Sequence, residues 1–340
     1  MGGGADMRIG IVGVHYGHIA GMVQSARRAP GSEIVGLVEA DDGLFGRYTE
    51  QTAIPRYDNL EQMLEQARLQ VVLEGVTHRD KAPLVETCAA AGVHVLLDKP
   101  LCRTLEDWER IRTAVQQNDI KLSMWFTSRS YPPFIALKQA IVDGLLGDVV
   151  SIISTHPHKT TRSGAPAWYF DPEAYTGPFH DLACHGVDQV RWLTGAECVG
   201  VHALETCRKF TEAPQLTDHV QASLALSDGS MATLTADWLT PQKTPAFGDT
   251  RCIVMGTRGS AHLRAYAKDE LLLVTDDREP FAPELGPGTG GGFVQDMIDA
   301  WDRGEENFIS TDDVLAVAEA CLLAQDSARR GGEFVTIPER

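Results

Sequence analysis

No stretch of this 340-residue chain approaches the roughly 20 consecutive apolar residues that a membrane-spanning helix requires, and no internal repeat or low-complexity block interrupts it. Positive charge is scarce. Thirty Lys and Arg stand against 47 Asp and Glu, a net charge of -17. That deficit argues against nucleic acid, which wants a basic face, and against an anionic membrane surface. An anionic small molecule would need local help from helix N-termini or single lysines. Cysteine is sparse and unpatterned. Cys88, Cys102, Cys184, Cys198, Cys207, Cys252 and Cys321 have no paired spacing, which fits reduced thiols in a cytoplasmic protein rather than a disulfide framework. The lead Met1-Gly-Gly-Gly-Ala-Asp6 has no apolar core, so a short flexible lead is expected rather than a signal peptide. What is present, 43% hydrophobic and 23% charged residues, is ordinary for a globular protein, and the length predicts two domains.

The two halves are patterned differently. Up to about residue 122, short apolar runs alternate with helical segments. Strands are expected at Met7–Gly13, Glu33–Glu39, Leu69–Val76, Val93–Leu97 and Ile120–Phe126. Helices are expected over Ile19–Ala29, over Leu60–Arg68 behind an Asn59/Gln62 capping box, over Pro83–Ala91, and after Thr104 with Asp107. Repeated βα units imply a doubly wound parallel sheet, the Rossmann architecture, over residues 1–122. Residues 123–340 read as an α/β domain with an open, mostly antiparallel sheet. Its strand-like runs are joined by turns such as Asp228-Gly229, followed by a glycine-rich loop at 286–292 and two terminal helices.

Several clusters carry chemistry. Gly13-Val-His15-Tyr16-Gly17-His18 follows the first strand and precedes a helix, where a glycine turn lets a pyrophosphate approach the helix N-terminus. Gly13 matches the first fingerprint glycine, while His15 and His18 occupy the second and third positions. Glu39 ends the second strand 26 residues after Gly13, and Asp41 and Asp42 follow as alternatives for a ribose-binding acid. With no arginine beside it in sequence, this acid favours NAD over NADP. Asp98-Lys99-Pro100 ends the fourth strand at the carboxyl edge, where Lys99 can hold a developing alkoxide. In Gly177–Asp188, Asp181 and His185 stand four residues apart, one helical turn, as a general base and its orienting carboxylate would. His156, His158 and His180 fit either hydrogen bonds to a polyol or a solvated loop. A zinc centre with Asp181 and His185 matches no ligand spacing, so no metal is expected. Trp168 lies in a Pro- and Gly-rich loop and either walls a sugar pocket or covers the sheet.

In their order and spacing these pieces resemble the Gfo/Idh/MocA oxidoreductase family over nearly the whole chain. Further marks are Arg129-Ser-Tyr-Pro132, Gly144-Leu-Leu-Gly147, Asp188 and Arg191-Trp-Leu-x-Gly195 after His185, and the Gly256-Thr-x-Gly259 hairpin. The resemblance implies reversible hydride transfer between a nicotinamide and a hydroxyl-bearing carbon of a sugar or cyclitol. It also implies a homodimer or homotetramer built on the C-terminal sheet. Lys99, Asp181 and His185 would be the catalytic set. Gly13, His15, Tyr16, Gly17, His18, Glu39, His78, Asp98 and Lys99 would face the cofactor, and Arg129, His156, His158, Trp168 and His180 the substrate. Departures are the two histidines for glycines, Asp98 for glutamate, and Glu74-Gly-Val-Thr-His78 where Thr-Pro-Asn-x-x-His is usual, with Asp80 in place of the later histidine. On the same scaffold, a redox-neutral glycoside hydrolase or lyase holding NAD, and a non-catalytic nucleotide sensor, are the rival readings.

Overall fold

The computed structural model describes residues 7–50, 53–161, 164–213, 216–265, 270–288 and 292–338. The lead Met1–Asp6 and residues 289–291 of the expected glycine-rich loop lie outside the described residues. The chain forms two compact units, Met1–Trp125 with Gly290–Ala316, and Phe126–Thr289 with Val317–Arg340.

In the first unit the strands are β1 (Met7–Val12), β2 (Ser32–Val38), β3 (Arg56–Tyr57), β4 (Val71–Glu74), β5 (His94–Leu97) and β6 (Leu122–Met124). They form one parallel sheet in the order β3-β2-β1-β4-β5-β6. The helices between them are α1 (Ile19–Arg28), α2 (Asp42–Thr49), α3 (Leu60–Ala67), α4 (Lys81–Ala90) and α5 (Leu105–Asn118). The expected caps form: Asn59 Oδ1 accepts from Gln62 N at 2.8 Å and Thr104 Oγ1 from Asp107 N at 3.0 Å. β1 lies between β2 and β4, so the strand order reverses at its carboxyl end, where an open α/β sheet leaves a crevice for ligands.

The expected division placed residues 290–316 in the second domain, and the structure corrects this. Those residues carry a helix (Phe293–Asp302, α8 below) that packs on the first unit. Phe293 lies 4.6 Å from the Trp125 ring, Val294 N donates to Ser25 Oγ at 3.1 Å, and Asn307 Nδ2 donates to Ser123 Oγ at 2.9 Å. Apolar residues on one side of an otherwise polar helix decide its docking, and sequence position does not.

The second unit begins with α6 (Pro132–Val142) and contains α7 (Cys184–Thr194). Its strands are β7 (Val149–Pro157), β8 (Cys198–Thr206), β9 (His219–Leu226), β10 (Met231–Asp237), β11 (Arg251–Gly256), β12 (Gly259–Arg264), β13 (Leu271–Thr275), β14 (Arg278–Phe281) and β15 (Val335–Thr336). Nine strands run in the order β14-β13-β12-β11-β7-β10-β9-β8-β15. All neighbours are antiparallel except β7 and β10. Burial alternates along β9 and β10, as a sheet with one covered face requires. On the covered face Gly186 lets α7 come close to the strands, since a Cβ there would lie 2.7 Å from His156 Nε2 and 3.1 Å from Leu234 Cδ2. The other face leaves Ile153, Leu204, Met231 and Leu272 exposed. After α8 (Phe293–Asp302), α9 (Thr311–Arg329) contributes its start to the first unit and its remainder, from Val317, to the second. Among the described residues no helix is long and apolar enough to cross a membrane.

Candidate active site

At the end of β1, Gly13 adopts φ +70°, and a Cβ there would lie 2.7 Å from Val76 Cγ1. Only glycine takes that backbone and that approach without strain. A Cβ on Gly17 would meet nothing within 4 Å. Glu39 is buried, and its carboxylate accepts from Val14 N at 3.1 Å and Asp41 N at 2.9 Å, with His15 Nε2 at 3.6 Å. The Val14 amide holds the acid against the turn, and the Asp41 amide fixes it from its own loop. The expectation that no arginine lies beside it is corrected. β3 brings Arg56, 17 residues away, to donate to Glu39 O at 3.0 Å and Ala40 O at 2.8 Å, and its guanidinium pairs with Asp42 at 2.6 Å.

Beside this turn lies a denser cluster. Asp98 and Lys99 are buried. Lys99 Nζ donates to Tyr16 Oη at 2.6 Å, and the Tyr16 ring stands 5.5 Å from His18 and 5.7 Å from His78. Asp98 Oδ1 accepts from Lys99 N at 2.8 Å and meets His18 Nδ1 at 2.9 Å. Behind them Lys81, absent from the sequence-level set, donates to Glu74 Oε2 at 2.5 Å and to Asp98 O at 2.7 Å. Glu74 Oε1 takes Val76 N at 2.7 Å. Burial pushes the Glu74 carboxyl up to about 7, with Lys81 pulling the other way. The available signal was a glutamate ending an apolar run and a lysine seven residues on.

These residues fit a dinucleotide. The glycine turn opens onto the α1 N-terminus, where His18 is the cap and makes no side-chain capping bond. Asp98 Oδ2 is a buried acceptor without a protein partner, suited to a hydroxyl or amide donor.

In the second unit Phe179–Ala183 form a π-helical turn that runs into α7. Single π turns inside helices are frequent at functional sites. Asp181 is fully buried on this turn and accepts from Tyr175 Oη at 2.7 Å. Tyr175 in turn accepts from Trp238 Nε1 at 3.2 Å and stacks on Tyr169, with centroids 4.7 Å apart. Neither Tyr175 nor Trp238 was singled out in the sequence. Burial first, then the Asp181 charge, raises the Tyr175 phenol well above its ordinary range. His185, half-buried on α7, has its ring edge-on to Phe126 at 5.7 Å and stacked on His156 at 6.4 Å. His156 is held by Ser154 Oγ at 2.9 Å, and Ser154 Oγ is itself 3.1 Å from Gln189 Oε1. Burial, helped by His158, lowers His156 to about 3.

The remaining expected substrate residues have partners of their own, and two of them, His158 and Trp168, also pack against Trp238 and Tyr175 of this group. His180 meets Gln325 Oε1 at 3.1 Å, and burial lowers it to about 4. Arg129 grips Asp188 through Nε at 3.1 Å and Nη2 at 2.6 Å. His158 packs edge-on to Trp238 and Phe247, and Trp168 edge-on to Tyr169. Among the described residues no three His, Cys, Asp or Glu side chains group as metal ligands would.

Residues 7–126 match the model of an oxidoreductase family with an NAD-binding Rossmann fold, and residues 134–262 match the GFO/IDH/MocA C-terminal domain. Among curated proteins the chain is 28% identical over 342 residues to inositol 2-dehydrogenase 1 of Saccharopolyspora erythraea, covering 94% of each. It is 25% identical to the inositol 2-dehydrogenase of Rhizobium meliloti, covering 84% of this chain and 80% of the relative. Its fold matches a levoglucosan dehydrogenase solved with NADH and levoglucosan at a TM-score of 0.84 and 21% identity, covering 98% of this chain and 100% of that one. An aldose-aldose oxidoreductase from Caulobacter crescentus solved with glycerol matches at 0.83 and 21%, with the same coverage.

Proposed function

The chain belongs to the Gfo/Idh/MocA family of NAD-binding oxidoreductases, and on that premise we propose that it is an NAD-dependent dehydrogenase acting on a secondary hydroxyl of a cyclitol, sugar or related polyol. The observation that carries this reading is the setting of His185. It follows the buried Asp181 by one turn and stacks on His156, an imidazole that burial keeps neutral. A bound nicotinamide supplies the acceptor for the hydride leaving the carbinol carbon. In the oxidative direction an imidazole nitrogen of His185 takes the hydroxyl proton, so a CH–OH becomes C=O with the two electrons on the cofactor. Asp181 stabilises the resulting imidazolium. Lys99, its ammonium bonded to Tyr16 Oη, shares the charge developing on the reacting oxygen. Glu39, its two oxygens held by the Val14 and Asp41 amides, accepts from ribose hydroxyls and repels a 2′-phosphate, favouring NAD.

A panel of inositols and sugars, scanned with NAD and NADP in parallel, tests this. Turnover with NAD more than twofold above NADP is expected for at least one polyol. His185→Ala should lose about 10²- to 10⁴-fold of kcat while NAD affinity stays unchanged, and an undiminished kcat would sink the assignment. The exposed apolar face of the second unit's sheet, with Ile153, Leu204, Met231 and Leu272, supports a homodimer or homotetramer through that sheet. A monomer mass by light scattering, at the concentration used for assay, would contradict it.

A further inference from the structure

We propose that Tyr175 is a positioning residue for Asp181, fixing which carboxylate oxygen faces the base and how much charge it presents. This rests on the reading of Asp181 and His185 as the proton-handling pair. Two hydrogen bonds join three side chains into one chain: Trp238 Nε1–H donates to Tyr175 Oη at 3.2 Å, and Tyr175 O–H donates to Asp181 Oδ2 at 2.7 Å. All three side chains are buried, at 4%, 6% and 0% exposure. A hydroxyl buried only for packing needs any one acceptor. This one accepts from an indole and donates to a carboxylate, the stronger, charge-assisted kind of bond. Stacking on Tyr169 fixes the ring plane. Burial and the neighbouring carboxylate keep the phenol protonated throughout the working range, so it acts as a donor at every pH of interest.

The consequence has a definite sign. A donor on Oδ2 draws charge from the carboxylate and leaves less to stabilise an imidazolium. Removing it strengthens the pull of Asp181 on a proton at His185. His185 then stays protonated to higher pH and is unfit as a base where the native enzyme works. Among the described residues the titratable groups facing this chain include Tyr169 beside Tyr175, His180 and His185 flanking Asp181, His156 stacked on His185, Arg329 of α9 towards His180, His158 edge-on to Trp238, and Lys209, which donates to Trp238 O. Trp238, the residue after β10, presents an uncharged indole.

Tyr175→Phe keeps the ring and deletes one oxygen. The expected result for polyol oxidation is a kcat lower by about two- to tenfold at pH 7 and a polyol KM within about twofold of native. The acid limb should move up by roughly half a unit to one unit, so that activity recovers towards pH 9. Trp238→Phe, which removes the N–H behind the tyrosine together with part of the ring, should move the limb the same way by less, and it reads the effect if Tyr175→Phe does not fold. An unmoved limb in a folded variant reduces Tyr175 to packing and overturns the proposal. A raised KM with unchanged kcat makes it a wall of the substrate pocket and overturns it too. Full turnover in His185→Ala would instead overturn the underlying assignment, whatever the tyrosine does.

Discussion

Around Lys99 in the first unit lie buried groups that carry charge: Glu74 with Lys81, Asp98 beside His18, and Glu39 held by the Val14 and Asp41 amides. Around His185 in the second unit the surroundings are mostly neutral. They comprise a histidine that burial keeps unprotonated, a phenol that burial keeps protonated, tryptophan and phenylalanine rings, and the carboxylate of Asp181. The second unit's buried ion pair, Arg129 with Asp188, joins α7 to the segment before α6 and serves the scaffold. The contrast suits the two tasks proposed for these clusters. A site for an anionic dinucleotide in a chain of net charge -17 needs fixed local charges and aimed amides. A proton-transfer site needs few charges, so that the base's equilibrium is set by one partner.

The contrast is broken most severely at Lys81. Lys81→Met strands a fully buried carboxylate at Glu74, and removing one partner of a buried pair typically destabilises by about 3–5 kcal/mol. Urea unfolding at pH 8 should register that loss, and a pH nearer 5 should reduce it as the Glu74 carboxyl takes up a proton. Replacing both residues with apolar ones, Lys81→Met with Glu74→Leu, should recover most of it. A single variant as stable as the native chain would mean that the ion pair is not what holds the Asp98 turn.

Why the two clusters differed in legibility follows from how each is built. The parallel strands were readable because strands buried on both faces are continuous apolar runs, and the caps at Asn59 and Thr104 because a cap is local chemistry. α2 escaped because it buries no side chain, so no apolar period marks it. α6 escaped because Pro132-Pro133 reads as a break, whereas both prolines occupy its first turn. In the site, Lys99, Asp181 and His185 stand out through their neighbours in sequence. The pairings do not, although Tyr16 itself lies in the fingerprint turn. Tyr16 reaches Lys99 across 83 residues, Arg56 reaches Glu39 across 17, and Tyr175 reaches Asp181 across six, a separation with no helical meaning until the π turn is seen. Docking of residues 290–316 on the first unit is likewise a tertiary choice between two available apolar surfaces.

A smaller effect sharpens the comparison, because the two clusters give stability opposite pH slopes. Glu74 is raised towards 7, so between about 4.5 and 7 the folded state holds more protons than the unfolded, and that contribution is lost as pH rises. His156 and His180 are lowered to about 3 and about 4, with burial the leading cause in both. An unfolded histidine titrates near 6.5, so below that pH the unfolded chain binds protons that the folded chain refuses. Their contribution is therefore complete above about pH 6.5 and is lost as pH falls towards 4. At pH 5 each histidine should cost about 2 kcal/mol, from 1.36 kcal/mol per pH unit. Gln325 already bonds the His180 ring, so His180→Gln keeps a polar partner and cannot take a proton. Comparing unfolding free energies at pH 7 and pH 5, the variant should lose about 2 kcal/mol less than the native chain on acidification. Equal losses in the two proteins would mean that His180 accepts a proton in the folded state, and the second unit would then be no more averse to charge than the first.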